Sequence, residues 1–261
     1  MDAPRPLTEI TDEQILRTKL VVFDVDGVII PKGTNLKENG DGTVFHMETH
    51  KLSEKFVKNI TELKRHVKIS FSSGRNLLYL RSLTKDVYDK SVILQSENAA
   101  IIFINGEIST PQFPDGYFEA ANRLRNLVLA NANELGLRGF EPKIYNLAVH
   151  MDENYRINDL VKEADPEGHL YCIWTGEAFD VGLKGVTKGA GLEKIAETLN
   201  LERNEIITTG NALNDKEMLE SGVGVTMEPD RVWAPYRSSG AGLGGEELVE
   251  FLVSRFRELK K

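Results

Sequence analysis

Cysteine is nearly absent: Cys172 is the only one in 261 residues, so no disulfide can form within the chain, and a reducing compartment fits. Long apolar runs are missing as well. The longest, Ala99 to Ile104, is far too short to cross a bilayer, which excludes a membrane-spanning helix. Met1 to Lys19 is polar and acidic with two prolines and offers no apolar segment of the secretory type; the cytoplasm is the expected location. An excess of positive charge is lacking too. With 32 Lys and Arg against 40 Asp and Glu the net charge is −8, which argues against general binding of nucleic acid or an anionic membrane. A phosphorylated small molecule remains a possible partner, held by local donors and a metal. Internal repeats and low-complexity segments are also missing. What is present, 41% hydrophobic and 28% charged residues, is ordinary for a globular protein.

Along the chain, residues 1–18 read as a poorly structured lead-in ending in a short helix. Lys19 to Phe23 (KLVVF) is continuous in β-formers and reads as a buried strand, ended by the turn at Asp24–Gly27. Residues 31–50, rich in Gly, Asn, Lys and Asp, read as a long loop. Leu52, Phe56, Ile60 and Leu63 are spaced for a helix. A strand over 67–71, a helix over 76–84 and short strands near 92–94 and 100–104 follow. Strands alternating with helices predict a parallel sheet covered on both faces. After Asn105-Gly106 the rhythm changes: a strand near Ile108, a helix over 118–135, a strand over 143–150, a helix over 157–164, then strands near 169–174 and 178–183 joined by Thr175-Gly176-Glu177, an antiparallel pattern. From Gly185 the first rhythm returns, with helices over 189–199, 214–221 and 246–259 and strands over 205–209 and 224–227. The expected architecture is α/β: a doubly wound parallel-sheet core, residues 1–105 and 185–261, with an inserted α+β module at 106–184.

Four polar motifs stand at strand ends or helix starts. Asp24-Val25-Asp26-Gly27 follows a strand, and in open α/β sheets ligands bind at the strands' carboxyl ends. An ionised aspartate can attack phosphorus and form an acyl-phosphate that water later cleaves, and a second carboxyl group can protonate the leaving oxygen. Asp24 is the candidate nucleophile and Asp26 the acid/base; the plain alternative is a pair of loop or capping aspartates. Ser72-Ser73-Gly74-Arg75 offers a hydroxyl, exposed backbone N–H groups and a guanidinium for phosphate; alternatively Ser73 caps a helix and Arg75 faces solvent. Lys188 sits at a helix start, where the dipole disfavours a cation, a placement that suits offsetting phosphate and carboxylates, although a solvated lysine fits equally. Thr209-Gly210-Asn211-Ala212-Leu213-Asn214-Asp215 brings oxygen ligands suited to Mg²⁺, or simply an Asn/Asp-rich turn.

Their joint occurrence in this order supplies a nucleophile, phosphate donors and a metal site. By these motifs the chain resembles the haloacid-dehalogenase superfamily of phosphatases, in the branch with an α/β cap inserted after the third core strand. The resemblance runs from Lys19 to Leu259. It implies that Asp24 is the nucleophile, that Asp26 is the acid/base and lends its backbone carbonyl to Mg²⁺, and that Ser73, Gly74, Arg75, Lys188 and Asn214 surround the phosphoryl group. Asp24, Asp26, Asn211 and Asp215 would form the metal site. Gln95-Ser96-Glu97-Asn98-Ala99-Ala100 resembles the family's Asn-Gly-Ala segment by the cap hinge, with Asn98 its candidate substrate contact and Ala99 where glycine is usual. Ser96–Phe103 and Gly244–Leu252 resemble archaeal-type phosphoglycolate phosphatases. One departure stands out: the family pattern Gly-Asp-x-x-Asn-Asp carries Asn211 here in its first acidic place, which implies weaker metal affinity. The expected activity is Mg²⁺-dependent hydrolysis of a small phosphomonoester, a sugar phosphate or phosphoglycolate-like acid. Two other readings stay open, a phosphomutase using the same aspartates and a catalytically weak sugar-phosphate binder. Tyr145, His150, Trp174 and Glu177 are candidates to face substrate from the insert, each with core packing or surface as its alternative.

Overall fold

The structure, a computed structural model, describes residues 3–38 and 43–260. It divides into two compact units, one made of Met1–Lys32, Lys51–Thr110 and Thr187–Lys261, the other of Gly33–His50 and Pro111–Val186. The breaks after 110 and 186 fall a few residues later in the chain than the expected ones after 105 and 184, and 33–50 groups with the second unit.

The first unit is built on a nine-stranded sheet. Leu20–Asp24 lies at its centre, parallel to Ile206–Gly210 on one side and to Lys68–Ser72 on the other. Val92–Ser96 continues the parallel run beyond Lys68–Ser72, and Val223–Thr226 does so beyond Ile206–Gly210. Ile101–Ile104 and Glu107–Ser109 extend one edge in antiparallel fashion. Alternation along the central strand explains its unbroken apolar run. Val21 and Phe23 join a cluster with Phe56, Ile60 and Leu252, while Leu20 and Val22 join one with Leu192, Ile195 and Met218. A strand covered on both faces needs no polar side. Helix Glu54–Leu63 starts at Ser53, whose hydroxyl accepts from the Phe56 N–H at 3.0 Å, and it buries Phe56, Ile60 and Leu63, the spacing read from the sequence. The chain runs outward from Leu20–Asp24 to Lys68–Ser72 on one side and from Ile206–Gly210 to Val223–Thr226 on the other, so the carboxyl ends of Leu20–Asp24 and Ile206–Gly210 border a topological switch point.

The lead-in is more ordered than its composition suggests. Arg5–Pro6 adds an edge strand parallel to Tyr236–Arg237, and Asp12–Arg17 is a helix whose Thr11 cap accepts from the Gln14 N–H at 3.2 Å. Ile15, fully buried, anchors that helix. Two-residue strands carry no periodicity, so neither partner was visible in the sequence.

The second unit has a four-stranded antiparallel sheet in the order Leu170–Trp174, Phe179–Leu183, Leu147–His150, Gly139–Glu141. Helices Tyr117–Ala130 and Ile157–Ala164 share an apolar cluster with it through Leu124, Val128, Leu160, Phe140, Val149 and Val181. The stretch read as a loop contains an antiparallel hairpin, Asn35–Glu38 with Phe45–Glu48. Its second strand is largely exposed, which is why no buried alternation announced it. Residues 39–42 of that stretch lie outside the described residues.

Candidate active site

Three neighbouring parallel strands deliver the first, second and fourth motifs. Asp24 ends its strand opposite Ser72, the last residue of the next one, and Gly210 ends the strand on the other side. Lys188 begins helix Lys188–Leu199, capped by Thr187, whose hydroxyl accepts from the Ala190 N–H at 3.2 Å. Its ammonium donates to Asp24 Oδ1 and to Asp215 Oδ1, both at 2.6 Å. All three side chains are buried, Lys188 to 2% exposure and Asp215 to 0%. An ion pair this deep holds only when each charge has its partner. Burial pushes the Asp24 carboxyl up to about 7, the Asp215 charge pushes the same way, and the Lys188 ammonium opposes both. For Lys188, burial acts to lower the pKa, but the two carboxylates outweigh it and hold the ammonium firmly protonated.

Asp26, two residues on, is gripped by Arg75 through two bonds, Nε to Oδ2 at 3.1 Å and Nη2 to Oδ1 at 2.9 Å. This side-on fork fixes the carboxylate plane. Arg75, expected to reach a phosphate, thus directs two of its nitrogens to Asp26 and is itself buried. The strand order makes this pairing, and nothing in the local sequence foretold it.

Ser73 is buried at the start of the turn. Its hydroxyl accepts from the Arg75 N–H at 3.1 Å, and its N–H donates to the Gln95 carbonyl at 2.8 Å. The following helix, Leu77–Leu83, is capped by Asn76 and not by Ser73. Gly74 lies between Ser73 and Arg75, half-buried. Glu97, Asn98 and Ala99 form a turn with φ of 50°, 54° and 80°, a left-handed run that costs L-residues energy. Bonds from Glu97 N–H to the Arg75 carbonyl at 2.9 Å and from Asn98 N–H to the Ser73 carbonyl at 3.1 Å tie it to the second motif. Strain of this kind clusters where a chain has work to do. The Asn98 side-chain oxygen accepts a long bond, 3.5 Å, from Asn214 Nδ2, so two residues singled out separately meet. Gln95 has no role in the four motifs. Fully buried, it donates to Ser72 Oγ and to the Lys188 carbonyl, both at 2.9 Å, and so joins the second motif to the start of the lysine helix. A glutamine inside the apolar strand VILQS was the available signal.

In the fourth motif, Asp215 Oδ2 accepts from the Asn211 and Ala212 N–H groups at 2.9 and 3.1 Å. Gly210 makes room for this: a Cβ there would lie 2.4 Å from that of Asp215. The Asn211 side chain donates through Nδ2 to the Asp26 carbonyl at 3.0 Å. Gly27 is needed beside it, both for its φ of +80° and because a Cβ would fall 2.3 Å from Asn211 Nδ2.

Among the described residues, no group of three or more His, Cys, Asp or Glu is arranged to hold a metal. The donor chemistry still fits Mg²⁺ in kind. Asp24 and Asp215 turn carboxylate oxygens to one buried cation, the Lys188 ammonium, and the Asp26 carbonyl, which accepts from Asn211 Nδ2, is a neutral oxygen of the same hard kind. The insert's four candidates have structural partners within their own unit. Tyr145 stacks on Phe113 at 4.6 Å, Trp174 packs on Phe179 at 4.8 Å, Glu177 accepts from the Gly33 N–H at 2.5 Å, and His150 lies 3.5 Å from Glu141.

The strand ends of a mainly parallel sheet thus carry paired aspartates, a buried lysine and an Asn/Asp turn, and the chain is similar to haloacid dehalogenase-like hydrolases. The model of the haloacid dehalogenase-like hydrolases matches residues 141–230. Phosphoglycolate phosphatase of Methanopyrus kandleri is 29% identical over 214 residues, covering 80% of this chain and 83% of its own. That of Methanococcoides burtonii is 25% identical over 243 residues, covering 90% and 97%. Among solved structures, a trehalose-6-phosphate phosphatase related protein superposes with a TM-score of 0.69 at 15% identity over 93% of this chain and 100% of its own, which shows a shared fold.

Proposed function

We propose that the chain is a Mg²⁺-dependent phosphatase of small phosphomonoesters, working through an aspartyl-phosphate on Asp24. The observation that carries this reading is the convergence of Asp24 and Asp215 on the buried Lys188 ammonium, with Asp26 clamped by Arg75 two residues away. Asp24 attacks phosphorus, forming an O–P bond as the bond to the leaving oxygen breaks. Asp26, oriented by Arg75, gives its proton to that oxygen, then takes one from the water that cleaves the acyl-phosphate. Lys188 offsets the negative charge gathered around the phosphoryl group, and the Ser73–Gly74 turn, with Asn214, supplies further donors. Asp24, Asp215 and the Asp26 carbonyl would hold Mg²⁺, which when bound polarises phosphoryl oxygens and neutralises charge. The relatives' names favour phosphoglycolate or a sugar phosphate as substrate. Among the described residues no helix is long and apolar enough to cross a membrane, and a small cytoplasmic metabolite fits this reading.

The test is a phosphate-release screen of phosphorylated metabolites with Mg²⁺, repeated for Asp24→Asn. An amide cannot form the acyl-phosphate, so turnover should vanish while the far-ultraviolet spectrum stays unchanged. Retention of more than about a few per cent of native release would remove Asp24 from the nucleophile's role. Isomer formation without phosphate release would identify a mutase instead.

A further inference from the structure

The Asp26 carbonyl, Asp24 Oδ1 and both Asp215 carboxylate oxygens already have protein donors. We propose that the Asn211 amide is a built-in competitor for the cation: it satisfies the Asp26 carbonyl in place of a metal and leaves the chain with weak, readily reversible Mg²⁺ binding. The proposal rests on the phosphatase reading only in taking Mg²⁺ as the ion concerned.

A main-chain carbonyl can only accept, so the Asn211 atom 3.0 Å from the Asp26 oxygen is a donor. The amide therefore presents nitrogen to that oxygen and turns its own Oδ1 elsewhere. Gly27 secures the arrangement, since any Cβ at that position would collide with the same nitrogen at 2.3 Å. Three carboxylate oxygens beside it are matched too. Lys188 holds Asp24 Oδ1 and Asp215 Oδ1 at 2.6 Å each, and two backbone N–H groups hold Asp215 Oδ2. Every one of these contacts is buried or partly buried, where an unpaired acceptor is costly. An ion that takes the Asp26 carbonyl on the side facing Asn211 displaces the Asn211–Asp26 bond and finds no added negative charge at 211.

A carboxylate at 211 would reverse this logic. It has no proton to offer the Asp26 carbonyl, so two acceptors would face each other and would need a cation between them. The amide thus makes the site cation-tolerant where an acid would make it cation-dependent.

The experiment measures Mg²⁺ affinity directly, by calorimetric titration and by the Mg²⁺-dependent rise of Tm, with no substrate present, on the full chain and on Asn211→Asp and Asn211→Ala. We expect Asn211→Asp to melt lower than the native chain in chelator and to bind Mg²⁺ at least tenfold more tightly. Asn211→Ala, which removes the competing donor without adding charge, should bind Mg²⁺ at least as well as the native chain. A weaker Asn211→Ala would show that Asn211 is a ligand through Oδ1, overturning the competitor role; equal affinity for the native chain and Asn211→Asp would overturn it as well. Phosphate release is measured separately, so a silent enzyme with the expected affinities refutes the phosphatase reading alone.

Discussion

Lys188→Met removes one charge and little volume from a deeply buried ion cluster. At 2.6 Å and an effective dielectric near 20, each Lys188 contact is formally worth about 6 kcal/mol. Desolvation offsets much of this in the native state, but once the ammonium is gone the two carboxylates remain buried and repel. Removing one partner of a buried pair typically costs about 3–5 kcal/mol. That loss depends on pH, and the sign follows from Asp24. Its folded pKa, about 7, already lies above its ordinary value of 3.8 because of burial and Asp215. The folded state therefore binds this proton more tightly than the unfolded state does, and stability falls as pH rises from about 4 to about 7. Lys188 is the group that opposes the shift, so without it the upper end of that window moves higher.

The variant should accordingly lose about 3–5 kcal/mol relative to the native chain at pH 8, and clearly less at pH 5.5, where Asp24 takes up a proton and the repulsion is relieved. Urea unfolding in chelator at the two pH values, with m-values checked for constancy, reads both numbers. Adding Asp24→Asn to Lys188→Met should recover part of the loss at pH 8, since the amide removes one of the two unpaired charges. A loss below about 1 kcal/mol at pH 8, or a larger loss at pH 5.5 than at pH 8, would refute the electrostatic account.

Ala99→Gly should raise stability by about 0.5–1 kcal/mol, because Ala99 holds a φ of 80° that glycine adopts freely, less the extra entropy glycine has when unfolded; an unchanged or lower urea midpoint would show that the turn is not strained at this residue. Cys172 has its thiol pushed up to about 12 by burial and by the Asp180 charge, so at pH 8 a thiol reagent should react roughly a hundredfold or more slowly with the folded chain than with the urea-unfolded one; comparable rates would contradict this.

The sequence made the sheet centre legible because burial on both faces leaves a run such as KLVVF with no polar interruption, and helices such as 157–164 legible because one face must be apolar. Ile157–Ala164 forms over the residues its spacing indicated. The Arg5–Pro6 strand and the 35–48 hairpin were not legible: one is two residues long and the other half exposed, so neither imposes a period. At the site, residue types at strand ends pointed to Asp24, Asp26, Lys188 and Asp215 one at a time. Which charge meets which was hidden, because Arg75 reaches Asp26, and Lys188 reaches Asp24 and Asp215, only through the order of strands in the sheet.

Those pairings have an electrostatic consequence that no single motif shows. Asp24, Asp26 and Asp215 carry three formal negative charges against the two positive charges of Lys188 and Arg75, which leaves the cluster one negative charge in excess. A phosphate dianion approaching that excess is repelled unless positive charge is added or one carboxyl is neutral. Asp24, with its pKa near 7, is the carboxyl poised to take a proton. Yet a protonated Asp24 is no nucleophile, so productive binding requires added positive charge that keeps Asp24 ionised beside the dianion. An aspartate at 211 would deepen the excess by one unit and call for a tightly held ion even in the empty site. With Asn211 the cluster needs less compensation when empty, and the need for a cation is greatest when the dianion arrives.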